Sequence, residues 1–228
     1  MLAKRIITGI VGGGLTIFII YEGNWLFFLM MTLLALLGWY EYVRLLAAKK
    51  ANLTEYAGYV WLICLFSAWW FAGMKLLFLL CVIMMSWILL RTVILHKKVS
   101  VTDSACSLYG LLYIGGGFLA MLALRNGMLG SYLTPLFQHV MEPSRFFVFL
   151  LVFSTWASDT FAFAVGKFMG KNKLCPEISP GKTQEGALGG FIGTIVTALI
   201  FSAIFKFSLL HALAIGLIIA IMAPLGDL

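Results

Sequence analysis

The 228 residues are 62% hydrophobic and 15% aromatic but only 11% charged, against roughly 25% charged in an average soluble domain. A mean hydropathy of +1.03 leaves too little polar surface to cover a water-soluble globule. The same figures exclude disorder, collagen, coiled coil and a secreted disulfide scaffold. The formal net charge of +7 fits loop cations that set membrane orientation and meet anionic lipid headgroups, and no nucleic-acid partner is expected.

Apolar runs of about 20 residues, without strand-period alternation, read as membrane helices and not barrel strands. The expected fold class is all-α: a polytopic transmembrane helical bundle with about eight spans. In chain order the spans fall near 6–21, 25–43, 57–73, 76–95, 105–124, 146–165, 188–205 and 209–225. Lys4 and Arg5 followed by an apolar run imitate a signal peptide, but no small-x-small site precedes the next run at Trp25, so the run is kept as a span. Trp25, Trp39, Tyr40, Trp61, Trp69 and Trp70 lie near span ends, where interface belts form. Cys64, Cys81, Cys106 and Cys175 have no C-x-x-C spacing and read as small packing residues.

Glycine pairs at small-xxx-small spacing (Gly9/Gly13, Gly166/Gly170, Gly186/Gly190, Gly189/Gly193) predict close helix contacts. The triple glycines at 12–14 and 115–117 predict bends or cavity-facing segments. Residues 1–124 read as N-terminal transmembrane helices, and residues 125–228 as a transmembrane region whose polar loop, 166–186, carries the site.

Alternating the spans places Lys4, Arg5, Arg44, Lys49, Lys50, Arg91, Lys97, Lys98, Lys167, Lys171, Lys173 and Lys182 on one side. Lys75, Arg125, Arg145 and Lys206 fall on the other, completing the 16 Lys and Arg of the chain. The positive-inside rule then puts the N-terminus, the 166–186 loop and the Gly226-Asp227-Leu228 end in the cytoplasm.

Glu22, Glu55, Asp103 and Glu142 read as solvated loop charges, and Glu41 as the helix-end partner of Arg44. Asp159 differs because it sits inside an apolar span. On a helix, Thr155, Ser158, Asp159, Ala162 and Gly166 form one small, polar stripe. An ionisable group at that depth costs about 2.5–3.5 kcal/mol on insertion scales, so it faces a cavity, a partner or an ion.

The stripe leads into the most polar segment, residues 166–190, where four lysines are interspersed with Ser179, Thr183 and Glu185 in a short loop pinned by Pro176 and Pro180. Lysines, hydroxyls and glycine-flanked backbone N–H groups suit phosphates. Pro180-Gly181-Lys182-Thr183 imitates the tail of a P-loop, but Pro176 stands where the leading glycine belongs and no strand precedes it. Asp227 ends the last span on the same side as this loop. Two carboxylates and a lysine-rich loop at one membrane face can hold Mg²⁺ and a polyphosphate together. His96, His139 and His211 are isolated and take no role.

The run Ser158–Gly190, S-D-T-F-A-F-A-V-G-K-F-M-G-K-N-K-L-C-P-E-I-S-P-G-K-T-Q-E-G-A-L-G-G, resembles the phosphatidate cytidylyltransferases (CDP-diacylglycerol synthases). Departures from their pattern are Phe163 for tyrosine, Met169 for phenylalanine and Gly181 for lysine. The family pattern continues past its Gly-Asp pair, here Gly226-Asp227, into a further signature segment. The resemblance therefore implies either a shortened chain or one sharing only part of the family architecture.

The activity implied is CTP + phosphatidate → CDP-diacylglycerol + diphosphate, with Mg²⁺, by a homodimer in the bacterial inner membrane. Asp227 and Asp159 would be metal ligands. Asp159, Lys182 and Glu185 would act in catalysis, with Glu185 orienting a lysine or the metal. Lys167, Lys171, Lys173, Ser179, Lys182 and Thr183 would bind phosphates. Rival readings are a transporter or lipid flippase using Asp159 and glycine-broken helices, a membrane scaffold, or another lipid nucleotidyl- or phosphotransferase.

Overall fold

A computed structural model of the chain describes residues 2–126 and 142–227, with side chains from residue 8 onward. Lys4, Arg5, His139 and Leu228, named above, lie outside the described side chains. The described residues form eight helices and one hairpin: α1 (Leu2–Glu22), α2 (Asn24–Ala47), α3 (Glu55–Ala72), α4 (Met74–Ile94), α5 (Val101–Arg125), α6 (Pro143–Met169), β1 (Lys173–Cys175), β2 (Ser179–Thr183), α7 (Gln184–Phe205) and α8 (Leu209–Gly226). Each of the eight expected spans has its helix. Among the described residues, α2, α4, α5, α6, α7 and α8 are long and apolar enough to cross a membrane. Their exposed faces are rich in Leu, Ile, Val and Phe, as a bilayer allows and water does not. The protein is an integral membrane helical bundle.

The chain divides after Asn126 into two compact units. The first, α1–α5, is held by polar side chains turned onto backbone. Trp39 is fully buried, and its indole N–H donates to the Glu55 carbonyl at 3.0 Å. Gly58 admits that ring, since a Cβ there would stand 2.2 Å from Trp39 Cε2. Trp39 is thus a core residue and not part of an interface belt; its polar edge is satisfied by a helix start. Tyr42 donates to the Cys106 carbonyl at 2.8 Å, above Gly110.

Asp103, expected as a solvated loop charge, and Arg125, counted among the loop cations, both have structural work in this unit. Asp103 and Ser100 form a capping box at the start of α5, and Asp103 also accepts the Asn52 N–H at 3.0 Å. Asn52 in turn donates to the Lys98 carbonyl at 3.0 Å, stitching the α2–α3 and α4–α5 connections together at one end. At the other end the Arg125 guanidinium is buried, donating to the carbonyls of Ile20 and Tyr21 at 2.8 and 3.1 Å. A cation there meets the negative end of α1 and its orphan carbonyls. Arg44 lies over the Tyr40 ring, 4.5 Å from its centre, and among the described residues no ion pair joins it to Glu41. Both triple-glycine segments run as unbroken helix.

The second unit packs α6 against α7 and α7 against α8. Glu142, just before α6, pairs with Arg145 at 3.1 Å. The α6–α7 contact is a glycine seam. A Cβ at Gly190 would lie 2.8 Å from the Ser158 carbonyl oxygen, one at Gly186 2.8 Å from that of Ala162, and one at Gly193 2.4 Å from the Phe161 ring. Backbones can approach this closely only without side chains between them. Lys206, in the left-handed conformation, ends α7, and the Ser202 hydroxyl donates to the Phe207 carbonyl at 2.7 Å to fix the turn into α8.

The polar segment is more ordered than a loop. β1 and β2 pair antiparallel, Lys173 opposite Thr183 and Cys175 opposite Ser179. Pro176 follows β1, and the Ile178 N–H donates to the Cys175 carbonyl at 3.2 Å to close the turn. Gly190→Val should push α6 from α7 and cost about 1–3 kcal/mol, the usual penalty of overpacking. Gly116→Ala, where a Cβ meets nothing within 4 Å, should leave the unfolding temperature at or above that of the unchanged chain. Thermal unfolding of both variants in detergent checks the contrast.

Candidate functional site

In the second unit a cavity of about 400 Å³ opens between α6, the hairpin, the first turns of α7 and the end of α8. Its polar lining is Ser158, Asp159, Lys167, Lys182, Thr183 and Asp227. The apolar remainder includes Phe163, Leu174, Ala187 and Pro224, with Gly166, Gly181, Gly186 and Gly190 where backbone forms the wall.

The glycine seam decides which α6 residues face the cavity. Ser158 is buried against Gly190, while the next residue, Asp159, turns about 100° round the helix to an exposed position on the cavity wall. Three glycines make room for Thr183. A Cβ at Gly166, Gly170 or Gly186 would stand within 3.0 Å of its side chain. Thr183 caps α7, its hydroxyl oxygen accepting the Gly186 N–H at 3.1 Å.

The other lining charges come from three elements. Lys167 ends α6 and lies over the Phe163 ring, 5.7 Å from its centre. Lys182 projects from β2 and pairs with the Asp227 carboxylate at 2.8 Å; its ammonium also donates to the main-chain carbonyl of Asp227. Asp227 caps α8, whose Pro224 has no N–H to offer the Ala220 carbonyl.

The structure therefore brings Asp159, Lys167, Lys182, Thr183 and Asp227 together. It does not bring Lys171, Lys173, Ser179 or Glu185 to the cavity wall. Lys173 donates to the Pro180 carbonyl at 2.7 Å, bracing the hairpin across itself. The Lys171 side chain is exposed, and Ser179 opens β2 opposite Cys175.

Glu185 clasps the backbone at the end of α6. Its carboxylate accepts the N–H of Lys171 at 3.1 Å, the N–H of Asn172 at 3.2 Å and the Asn172 side-chain amide at 2.9 Å. Asn172 was not singled out from the sequence, and neither was the Lys182–Asp227 pair. Partners 45 residues apart leave no local spacing to read. Pro224 did carry a signal, a proline inside an apolar helical run.

The donor set can be compared with what a divalent metal needs. Among the described residues no cluster of three or more His, Cys, Asp or Glu side chains could hold a metal ion. Two carboxylates, Asp159 and Asp227, share the cavity. That set suits Mg²⁺, which keeps several waters and takes one or two carboxylates plus substrate phosphates in place of an all-protein cage.

Glu185→Ala should release the Lys171 and Asn172 amides. Their hydrogen exchange should quicken through residues 171–183, while α2 stays unchanged, as amide-resolved exchange would show.

The sequence matches the cytidylyltransferase family over residues 3–228. A phosphatidate cytidylyltransferase of Staphylococcus haemolyticus is 36% identical over 149 residues, 64% of this chain and 51% of the relative. One from Staphylococcus aureus is 34% identical over the same length. One from Bacillus subtilis is 26% identical over 230 residues, 99% of this chain and 81% of the relative. The matched stretch thus spans about half the length of the staphylococcal relatives. None of these similarities supports a transporter or flippase.

Proposed function

The chain belongs to the cytidylyltransferase family, and we propose that it transfers the cytidylyl group of CTP to phosphatidate, giving CDP-diacylglycerol and diphosphate. One observation carries this reading: two carboxylates and two ammoniums, from α6, β2 and the end of α8, line one cavity. That is the charge pattern a metal-bound polyphosphate requires. The relatives named above are phosphatidate cytidylyltransferases and support the choice of substrates.

In the proposed reaction a phosphate oxygen of phosphatidate attacks the α-phosphorus of CTP. The new P–O bond forms as the α–β bridge breaks, and diphosphate leaves. Transfer of this kind is mostly positioning and charge neutralisation. Lys167 and Lys182 would hold phosphate oxygens, and the Thr183 hydroxyl, its oxygen already accepting from Gly186, would donate its proton to another. Asp159 and Asp227 would hold Mg²⁺, which when bound neutralises charge on the transferred and leaving phosphates. Lys173 and Glu185, engaged within the hairpin and its entry, keep the Lys182 strand in register.

The lysine-rich side carries most of the cations, which supports a cytoplasmic N-terminus and site in the bacterial inner membrane. CTP would then reach the cavity from the cytoplasm while the acyl chains of phosphatidate stay in the bilayer. Residues 1–124 would serve as membrane frame and 125–228 as the site-bearing region. Assembly as a homodimer, implied by the family resemblance, belongs to the same proposal.

The purified full-length protein in detergent, given Mg²⁺, phosphatidate and CTP labelled at the α-phosphate, should place the label in a lipid product. Asp159→Asn should lower the rate by about 100-fold or more, the scale of losing an electrostatic stabiliser in a closed site. Absence of labelled lipid from the unsubstituted protein would refute the assignment.

A further inference from the structure

We propose that Lys182 and a divalent cation compete for the same position on Asp227, so that arrival of the cation releases the Lys182 ammonium to the substrate's phosphates. The inference rests on the metal-dependent reading of the cavity and adds to it an order of events. It starts from how Lys182 is held. Its ammonium lies 2.8 Å from a carboxylate oxygen of Asp227 and also takes the main-chain carbonyl of the same residue. Two oxygens of one residue, one of them charged, converge on a single positive centre. A hard cation is held by the same kind of donor.

The pair is not an incidental surface contact. The Lys182 side chain is 27% exposed against 67% for Asp227, so the lysine is the half-buried partner and its reach is set by β2. The Asp159 carboxylate lines the same cavity and makes no side-chain hydrogen bond or ion pair among the described residues. One carboxylate is therefore open to a cation, and the other is covered by a charge that belongs to the protein.

Charge balance gives the consequence. With both carboxylates ionised and both lysines protonated, the lining is neutral, and only Lys167 offers an uncommitted ammonium to a polyphosphate. A divalent cation on Asp159 and Asp227 would displace Lys182 and make the site positive by two charges. Two ammoniums and the cation would then face the incoming phosphates. Polyphosphate affinity would be low before the cation binds and high afterwards, because the cation brings its own charge and frees a second one. Lys182 thereby covers the cation's position on Asp227 first and becomes a ligand for phosphate afterwards.

The test uses the full-length protein in detergent without nucleotide and Mn²⁺ as the probe, free Mn²⁺ being read by electron paramagnetic resonance. Lys182→Met should bind Mn²⁺ about three- to fivefold more tightly, fivefold being the upper range for losing one partly exposed ion pair. Lys182→Arg should stay near the unsubstituted value. Lys167→Met removes the same charge from the same cavity without touching Asp227, and should change affinity less than about twofold. Equal gains in the two methionine variants would show a general charge effect and overturn the competition. Unchanged or weaker binding in Lys182→Met would overturn it as well.

Acetylation of Lys182 in the unsubstituted protein, quantified by mass spectrometry, gives a second readout that needs no variant. It should rise when Mn²⁺ is added, and a flat response counts against release. If no form binds Mn²⁺, the metal-dependent reading of the site fails along with the inference. Binding with the wrong rank among the variants sinks the inference alone.

Discussion

Close contact between α6 and α7 is the constraint on which the second unit depends. In a bilayer, apolar side chains gain nothing by leaving lipid for protein, so helices associate through van der Waals contact and hydrogen bonds. Gly186, Gly190 and Gly193 supply the contact by omission, since a Cβ at any of them would strike the backbone or ring of α6. Each glycine costs a helix about 0.5–1 kcal/mol relative to alanine, which close packing over about two turns offsets. The seam also aims the chemistry. With Ser158 locked against Gly190, Asp159 must face the cavity, and the α6–α7 connection is left just enough room for a tight hairpin.

Polar groups have different fates in the two units. In the first, Trp39, Tyr42, Asp103 and Arg125 each complete the hydrogen bonding of a helix end or a neighbouring backbone. This is the accounting a membrane protein must close, because lipid offers no partner. In the second, Glu185 and Lys173 close the same accounts around the hairpin, yet Asp159 and Lys167 remain on a cavity wall without such an assignment. Polar side chains left over after the backbone is satisfied mark where function resides.

The fold was legible in the sequence because hydropathy reports directly on helical membrane segments: each of the eight apolar runs became a helix, six of them long and apolar enough to cross a membrane. The glycine seam was legible too, as Gly186/Gly190 and Gly189/Gly193 carry small-residue spacing that only close packing explains. Asp159 stood out by its cost in an apolar span. The division of labour among the polar residues of 166–190 was not legible. Lys171, Lys173 and Lys182 look alike as letters. A strand register, set by Pro176, the Ile178 turn and the Glu185 clasp, sends one to the cavity and holds another against Pro180. Trp39 misled for a related reason: a tryptophan near a span end is an interface residue unless a glycine on a neighbouring helix, here Gly58, admits it to the core.

The hairpin also explains why a lysine-rich segment of this length is needed at all. A cation carried on α6 alone, such as Lys167, is confined to the face its helix presents. Lys182 is placed by β2, which begins beyond a turn and returns toward the membrane end of α7, so its ammonium can reach the end of a third helix. The pairing with Asp227 joins the start of α7 to the end of α8 across 45 residues, at the level where α6 offers Asp159. Two helix ends, the start of α7 and the end of α8, are thus joined by charge beside an α6 that is held by close packing. A junction held by charge can be remade when another cation or a phosphate arrives, which a glycine seam cannot. The rigid contact and the exchangeable one lie within a few residues of each other, and the cavity is bounded by both.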